Sequence, residues 1–169
     1  MLLINISRYN NVKEEFEVYE NYTKESLRSS IGTRMVLWEE ALYIIKRNFF
    51  LGVGQGDIKM ELHNQAKKKG YLQIVEKNLN VHNQFLETFV GLGIGGVILL
   101  IMLLFGPVIK LKGKYFELFF YFIIIVTVNL VFESMFNRLA GVFFFAFFYC
   151  LFILFMNHVP NTKPKNNAL

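Results

Sequence analysis

The sequence predicts an all-α membrane protein: a helical, polar amino-terminal half followed by three carboxy-terminal transmembrane helices. Three observations carry this. Apolar residues make up 54% of the chain and include 19 Phe. Charge is unevenly placed, with 22 of the 31 charged side chains in residues 1–84 and nearly all long apolar runs after them. Finally, the polar segment Asn78-Leu-Asn-Val-His82-Asn83-Gln84-Phe-Leu-Glu87 leads straight into a membrane-length apolar run over 88–105. The length is that of one domain. It divides into a polar region 1–84, a membrane region 85–156 and a tail 157–169.

Residues 8–30, with Glu14, Glu15, Glu17 and Glu20 among aromatics, read as a partly helical lead-in. Thr33 reads as a helix N-cap, followed by Glu39 and Glu40 in the early turns. Met35, Trp38, Leu42 and Ile45 recur at helical spacing, predicting an amphipathic helix to about Arg47. Trp38 reads as a core or interfacial anchor ahead of a sugar-stacking platform. Asn48-Phe-Phe-Leu-Gly-Val-Gly54-Gln-Gly56-Asp57 follows. Its glycines would let backbone amides approach a phosphate, but it has neither Walker nor dinucleotide spacing. A tight turn with Asp57 capping the next helix is the simpler reading. Residues 57–69 then form a very polar helix ending at Gly70. His63 and Lys67-Lys68-Lys69 read as its solvated face, the lysines within reach of lipid head groups.

The three spans fall at about 85–109, 115–132 and 139–156. A crossing helix needs roughly 20 mostly apolar residues; the last two lie near the lower limit, and their Phe content favours insertion. Gly91, Gly93, Gly95 and Gly96 would permit close helix approach, as small residues do in membranes, and are expected to face helices outside this chain. Lys110, Lys112 and Lys114 crowd one short loop, and Lys163 and Lys165 sit in the tail. The positive-inside rule puts both in the cytoplasm. Residues 1–84 and the hairpin 133–138 then lie on the outer face. An imidazole held there, at His82, can move protons near neutral pH beside a lipid-borne substrate.

Composition also excludes classes. Cys150 is alone and inside a span, so no disulfide is implied. The formal charge of +5 serves topology, with the remainder suited to anionic lipid or pyrophosphate; nothing suggests nucleic acid. No His, Cys, Asp and Glu set has metal spacing. No span carries paired ionisable residues at mid-membrane, where they usually mark a transport pathway.

The order of motifs is more specific than any one of them. It runs Arg34-x-x-x-Trp38, Asn48-Phe-Phe-Leu-Gly-Val-Gly54-x-Gly56-Asp57, His82-Asn83-Gln84-x-Leu86 and Gly91-Leu-Gly-Ile-Gly95, and closes with Glu133-Ser134-Met135-x-x-Arg138-x-x-Gly141-Val-x-Phe-Phe. This resembles the carboxy-terminal part of the O-antigen ligase and O-antigen polymerase superfamily, in the style of its Bacteroidetes branch, over about residues 34–155. The resemblance implies a GT-C-like polytopic glycosyltransferase of the bacterial inner membrane, with residues 1–84 periplasmic. Its donor would be a glycan on undecaprenyl pyrophosphate; its acceptor would be lipid A–core or a growing polysaccharide. It implies no metal and no cofactor.

Carried over by position, His82 matches the loop histidine that acts as general base toward the acceptor hydroxyl or positions it. Arg34 matches the loop arginine, whose guanidinium suits a pyrophosphate leaving group. Asn83 and Gln84 would bind sugar hydroxyls or cap the span. Glu87 would orient His82 or face water. Glu133 and Arg138 would hold the hairpin at the surface, as a pair, with a further place near pyrophosphate open to Arg138. The superfamily's amino-terminal helices have no counterpart here, and Met1-Leu-Leu-Ile-Asn is too short for a signal-peptide core. A fragment, or one subunit that needs a partner chain for those helices, is therefore expected. The alternative to a catalytic portion is a non-catalytic remnant or membrane assembly partner.

Overall fold

The computed structural model describes residues 30–110 and 116–158. Most of the lead-in, Lys112 and Lys114 of the lysine loop, and Lys163 and Lys165 of the tail lie outside the described residues. Among the described residues there are six α-helices: α1 Ser30–Arg47, α2 Ile58–Lys68, α3 Leu72–Glu76, α4 Gln84–Lys110, α5 Phe116–Phe132 and α6 Leu139–His158. A 3₁₀ turn, Met135–Asn137, joins α5 to α6. No strand occurs among the described residues, so the all-helical expectation holds.

Two cores organise the chain. The first joins Leu37, Ala41 and Ile44 of α1, Ile58, Leu62 and Ala66 of α2, Ile74 of α3, and Val81 and Val90. On α1 the buried positions follow i, i+4, i+7, one stripe of a helix. Met35 and Leu42, expected on the buried face, are exposed. The small Ala41, fully buried, marks the side that is covered. α1 already includes Ser30, so Thr33 lies inside the helix and is not its cap. Asp57 holds the N-cap position of α2 but its side chain makes no capping bond. Gly70, at φ 78°, turns the chain out of α2 as a left-handed residue.

The polar helix α2 is less solvated than its composition suggests. Lys69 Nζ lies 2.7 Å from Glu40 Oε1, and Glu40 is fully buried; Lys69 also reaches Glu39 at 3.7 Å. Burial alone pulls the Lys69 pKa down, but the hydrogen bond and charge of Glu40, with Glu39 and Tyr71, outweigh it and hold the pKa above its ordinary 10.5. Lys69 therefore clasps α1 to the end of α2. His63 is half-buried, with Nε2 enclosed and without a hydrogen-bond partner.

The second core joins Leu100 and Leu104 of α4, Phe119, Ile123, Val126 and Leu130 of α5, and Phe145 of α6. The α5 residues form one stripe at i, i+4, i+7, i+11. Phe122 stacks on Phe145 at 6.1 Å between centroids, and Tyr149 donates a hydrogen bond of 2.6 Å to the Leu103 carbonyl. Among the described residues one helix, Gln84–Ile109, is long and apolar enough to cross a membrane, with mean hydropathy 2.6. α5 has 17 residues, about 25 Å at 1.5 Å per residue, and the apolar part of α6, Leu139–Phe155, is no longer.

α4 belongs to both cores because it is broken. Gly93 has φ 64° and ψ −162°, a region open essentially to glycine alone. The segment 49–54 lies against this break and is joined to it by three backbone hydrogen bonds. Val53 N–H donates to Val90 O at 2.8 Å, Gly54 N–H to Gly91 O at 3.0 Å, and Ile94 N–H to Phe49 O at 2.9 Å. A side chain on Gly93 would strike the Phe50 carbonyl, and one on Gly52 would come within 2.5 Å of the Gly91 backbone. Gly91 and Gly93 thus admit a loop of the same chain rather than another helix. The amides of Val53 and Gly54 serve this pairing, which accounts for the glycine-rich run without a phosphate.

Candidate functional site

The site grows from the amino-terminal end of α4. Asn83 Oδ1 accepts from Leu86 N–H at 3.0 Å and caps the helix. Just before it the chain turns through His82, at φ 51°, a left-handed conformation uncommon for a residue with a side chain. The residue before it is held in place. Trp38 Nε1 donates to Val81 O at 3.0 Å, and Val81 N–H donates to Glu87 Oε2 at 3.2 Å. The residue preceding His82 is clamped at both its donor and its acceptor. Trp38 is an anchor of this turn.

The same helical turn grips the α5–α6 hairpin. Glu87, only 2% exposed, accepts from Ser134 Oγ at 3.4 Å and Asn137 Nδ2 at 2.9 Å. Gln84 Oε1 accepts from Phe136 N–H at 2.8 Å, and its amide donates to Thr88 Oγ1 at 3.3 Å. Asn83, Gln84 and Glu87 are all buried and bonded to protein groups. Glu87 neither touches the His82 ring nor faces water; it acts on the backbone beside that histidine.

This grip sets Glu133 between two residues distant in sequence. Glu133 Oε1 lies 3.3 Å from Arg34 Nη2, and Glu133 Oε2 lies 3.4 Å from His82 Nδ1. The expected Glu133–Arg138 pair does not form. Arg138 is exposed and its side chain has no hydrogen bond or ion pair among the described residues. It borders an open cleft of about 180 Å³, lined also by Asn129, Glu133, Ser134 and Gly141.

The arrangement has a definite chemical capacity. A carboxylate facing Nδ1 favours the tautomer with its proton there, leaving the lone pair on Nε2. This is the orienting logic of a histidine–carboxylate pair. Glu133 also neutralises part of the Arg34 charge while engaging one of the five guanidinium N–H donors. Sequence reasoning singled out His82 and Arg34 but not the residue that joins them. The available signal was Glu133's position as the one acidic residue after Glu117, at the exposed end of an apolar helix. Among the described residues no group of three or more His, Cys, Asp or Glu is placed to hold a metal ion.

Fold and site together define a helical protein in which a histidine–carboxylate–arginine cluster sits where a polar cap meets an apolar helical layer. The family model described as O-antigen ligase matches residues 1–101, and the chain belongs to that family. The family is membrane-associated and glycan-processing. A Haemophilus influenzae protein described as uncharacterized is 35% identical over 104 residues, covering 60% of this chain and 25% of that protein. The chain thus spans about a quarter of the length of this curated relative. No solved structure matches.

Proposed function

We propose that this chain is the catalytic-loop portion of an inner-membrane glycosyltransferase. It would pass a glycan from undecaprenyl pyrophosphate to lipid A–core or a growing polysaccharide on the periplasmic face. In this reading α4, α5 and α6 all cross the membrane, residues 1–84 are periplasmic, and further helices come from outside this sequence. The observation that carries it is the Arg34–Glu133–His82 cluster at the head of the apolar helix. His82 Nε2 takes the proton of the acceptor hydroxyl. The hydroxyl oxygen attacks the anomeric carbon, and the bond to the pyrophosphate oxygen breaks with its electron pair going to the leaving group. Configuration inverts. Arg34 and the unpaired Arg138 face the growing pyrophosphate charge, while Glu133 holds the imidazole in the tautomer the step requires.

The test is glycan transfer in membranes containing the protein as the cell makes it. His82→Ala should lower transfer by about 10²–10⁴-fold, the usual value of a positioned base, with unchanged folded protein. Glu133→Gln, which keeps size but not charge, should lower it less and alter its pH profile. Transfer at the normal rate in His82→Ala membranes would overturn the reading in favour of a non-catalytic membrane partner.

A further inference from the structure

The segment paired to the break in α4 ends in an apolar tip. Phe49, Phe50 and Leu51 are 43%, 76% and 86% exposed; Phe49 rests edge-on against Phe89 at 5.3 Å between centroids, and Phe50 and Leu51 project beyond it. Such a run on a folded surface marks an interaction site. Its position indicates the partner. Crossing a hydrocarbon layer of about 30 Å takes roughly 20 helical residues. Counted back from Ile109, the last residue of the apolar stretch, these end at Val90. The ladder that fixes residues 49–54 bonds to Val90, Gly91 and Ile94, at and just inside that boundary.

The chemistry of the segment agrees with that depth. Non-helical backbone is tolerated in hydrocarbon only where its polar groups are satisfied by protein; here Val53, Gly54 and Phe49 bond to the very groups that the break in α4 leaves open. Immediately before the tip stand Lys46 and Arg47, both exposed, which suit the phosphates of lipid head groups. Below the break, α4 exposes Ile98, Leu99, Ile101 and Met102, a surface of the same kind.

We infer that Phe49, Phe50 and Leu51 dip into the lipid acyl chains of the leaflet on the His82 side, as a second membrane anchor beside α4. The anchor fixes the height of the His82 turn above the lipid, because α1 and the ladder tie the tip to both sides of that turn. The inference rests on α4 crossing the membrane and is independent of transferase activity.

Spin-label accessibility tests it. Single cysteines would replace Phe50 or Leu51 in a Cys150→Ala background, in the full chain reconstituted into phosphatidylethanolamine–phosphatidylglycerol vesicles. Leu99→Cys serves as the lipid reference and Met60→Cys, on the exposed side of α2, as the water reference. Collisions with oxygen and with a water-soluble nickel chelate are then compared. The expected result is a shift of the oxygen-to-chelate ratio at both tip sites from the Met60 value to the Leu99 value. A ratio at the Met60 value overturns the inference, and so does low access to both reagents, which would mean another protein segment covers the tip. A water-like ratio at Leu99 itself would overturn the spanning of α4, and the anchor with it, while leaving the cluster at His82 to be judged by the transfer assay.

Discussion

The cap formed by α1–α3 and the layer formed by lower α4, α5 and α6 are built on opposite plans. In the cap, apolar side chains turn inward, Leu37, Leu62, Ile74 and Val81 reaching zero exposure, and polar groups hold the elements together. The layer buries one stripe of α5 and turns the rest outward: Tyr121, Ile125, Phe143 and Phe147 are each more than half exposed. The cap hides its apolar side chains, and the layer displays them. The difference locates the site, since the groups that join the two regions, Glu87, Gln84 and Glu133, are polar residues at their boundary. It also explains why α4 is broken. Its upper part packs into the cap through Val90 and its lower part into the layer through Leu100 and Leu104, and Gly93 lets the direction change between them.

The sharpest way to break this division is at the joint. Gly93→Val forces a side chain into a conformation that costs about 1–3 kcal/mol and displaces three ladder hydrogen bonds worth roughly 1 kcal/mol each. A loss of roughly 4–6 kcal/mol is expected, read as disappearance of the folded species on size exclusion in detergent. Next comes the clasp between cap and hairpin. Glu87→Ala strands the buried Val81 N–H and Ser134 hydroxyl and frees the exposed Asn137 amide, at about 3 kcal/mol for the two buried groups left unpaired. The hairpin, and with it Glu133, should become sensitive to protease while the α1–α2 contact persists.

A cap-only perturbation should leave the layer untouched. Lys69→Met leaves Glu40 buried without its cation. The lysine side chain is 39% exposed, so solvent screening reduces the cost to about 2 kcal/mol. The pH dependence has a definite sign. The folded pKa of Lys69 is raised, so its contribution is fully present below the unfolded lysine value of about 10.4 and is lost as pH rises through the higher folded value. Thermal melts of the wild type should fall in that alkaline range more steeply than those of Lys69→Met. The smallest effect is expected at Gly56→Ala, which has open space around it and no positive φ. A change within about 0.5 kcal/mol would separate the two uses of glycine in a single loop, since Gly52→Ala meets the Gly91 backbone at 2.5 Å.

The motif order made the family legible in the sequence and marked His82 and Arg34 as candidates, because the types and spacings of the motifs survive without coordinates. Glu133 was visible only as part of a hairpin. Its link to Arg34, 99 residues away, depends on how far the hairpin leans over α4, and no local pattern encodes that. Spacing marks the glycines of α4 as a helix-packing stripe, since it cannot tell which backbone approaches them. Composition marks Lys69 and His63 as solvated, since it does not reveal which side of a polar helix is covered.

By itself the sequence determined the helical class, the polar-to-apolar division and the placement of a histidine at its boundary. All three follow from local propensity and from the period of apolar residues. Only the tertiary structure decided that α4 breaks at Gly93 to receive residues 49–54, and that Glu133 joins Arg34 to His82. Those outcomes rest on backbone hydrogen bonds and charge contacts between segments distant in the chain. Such partners are selected by packing geometry, which a one-dimensional pattern does not contain.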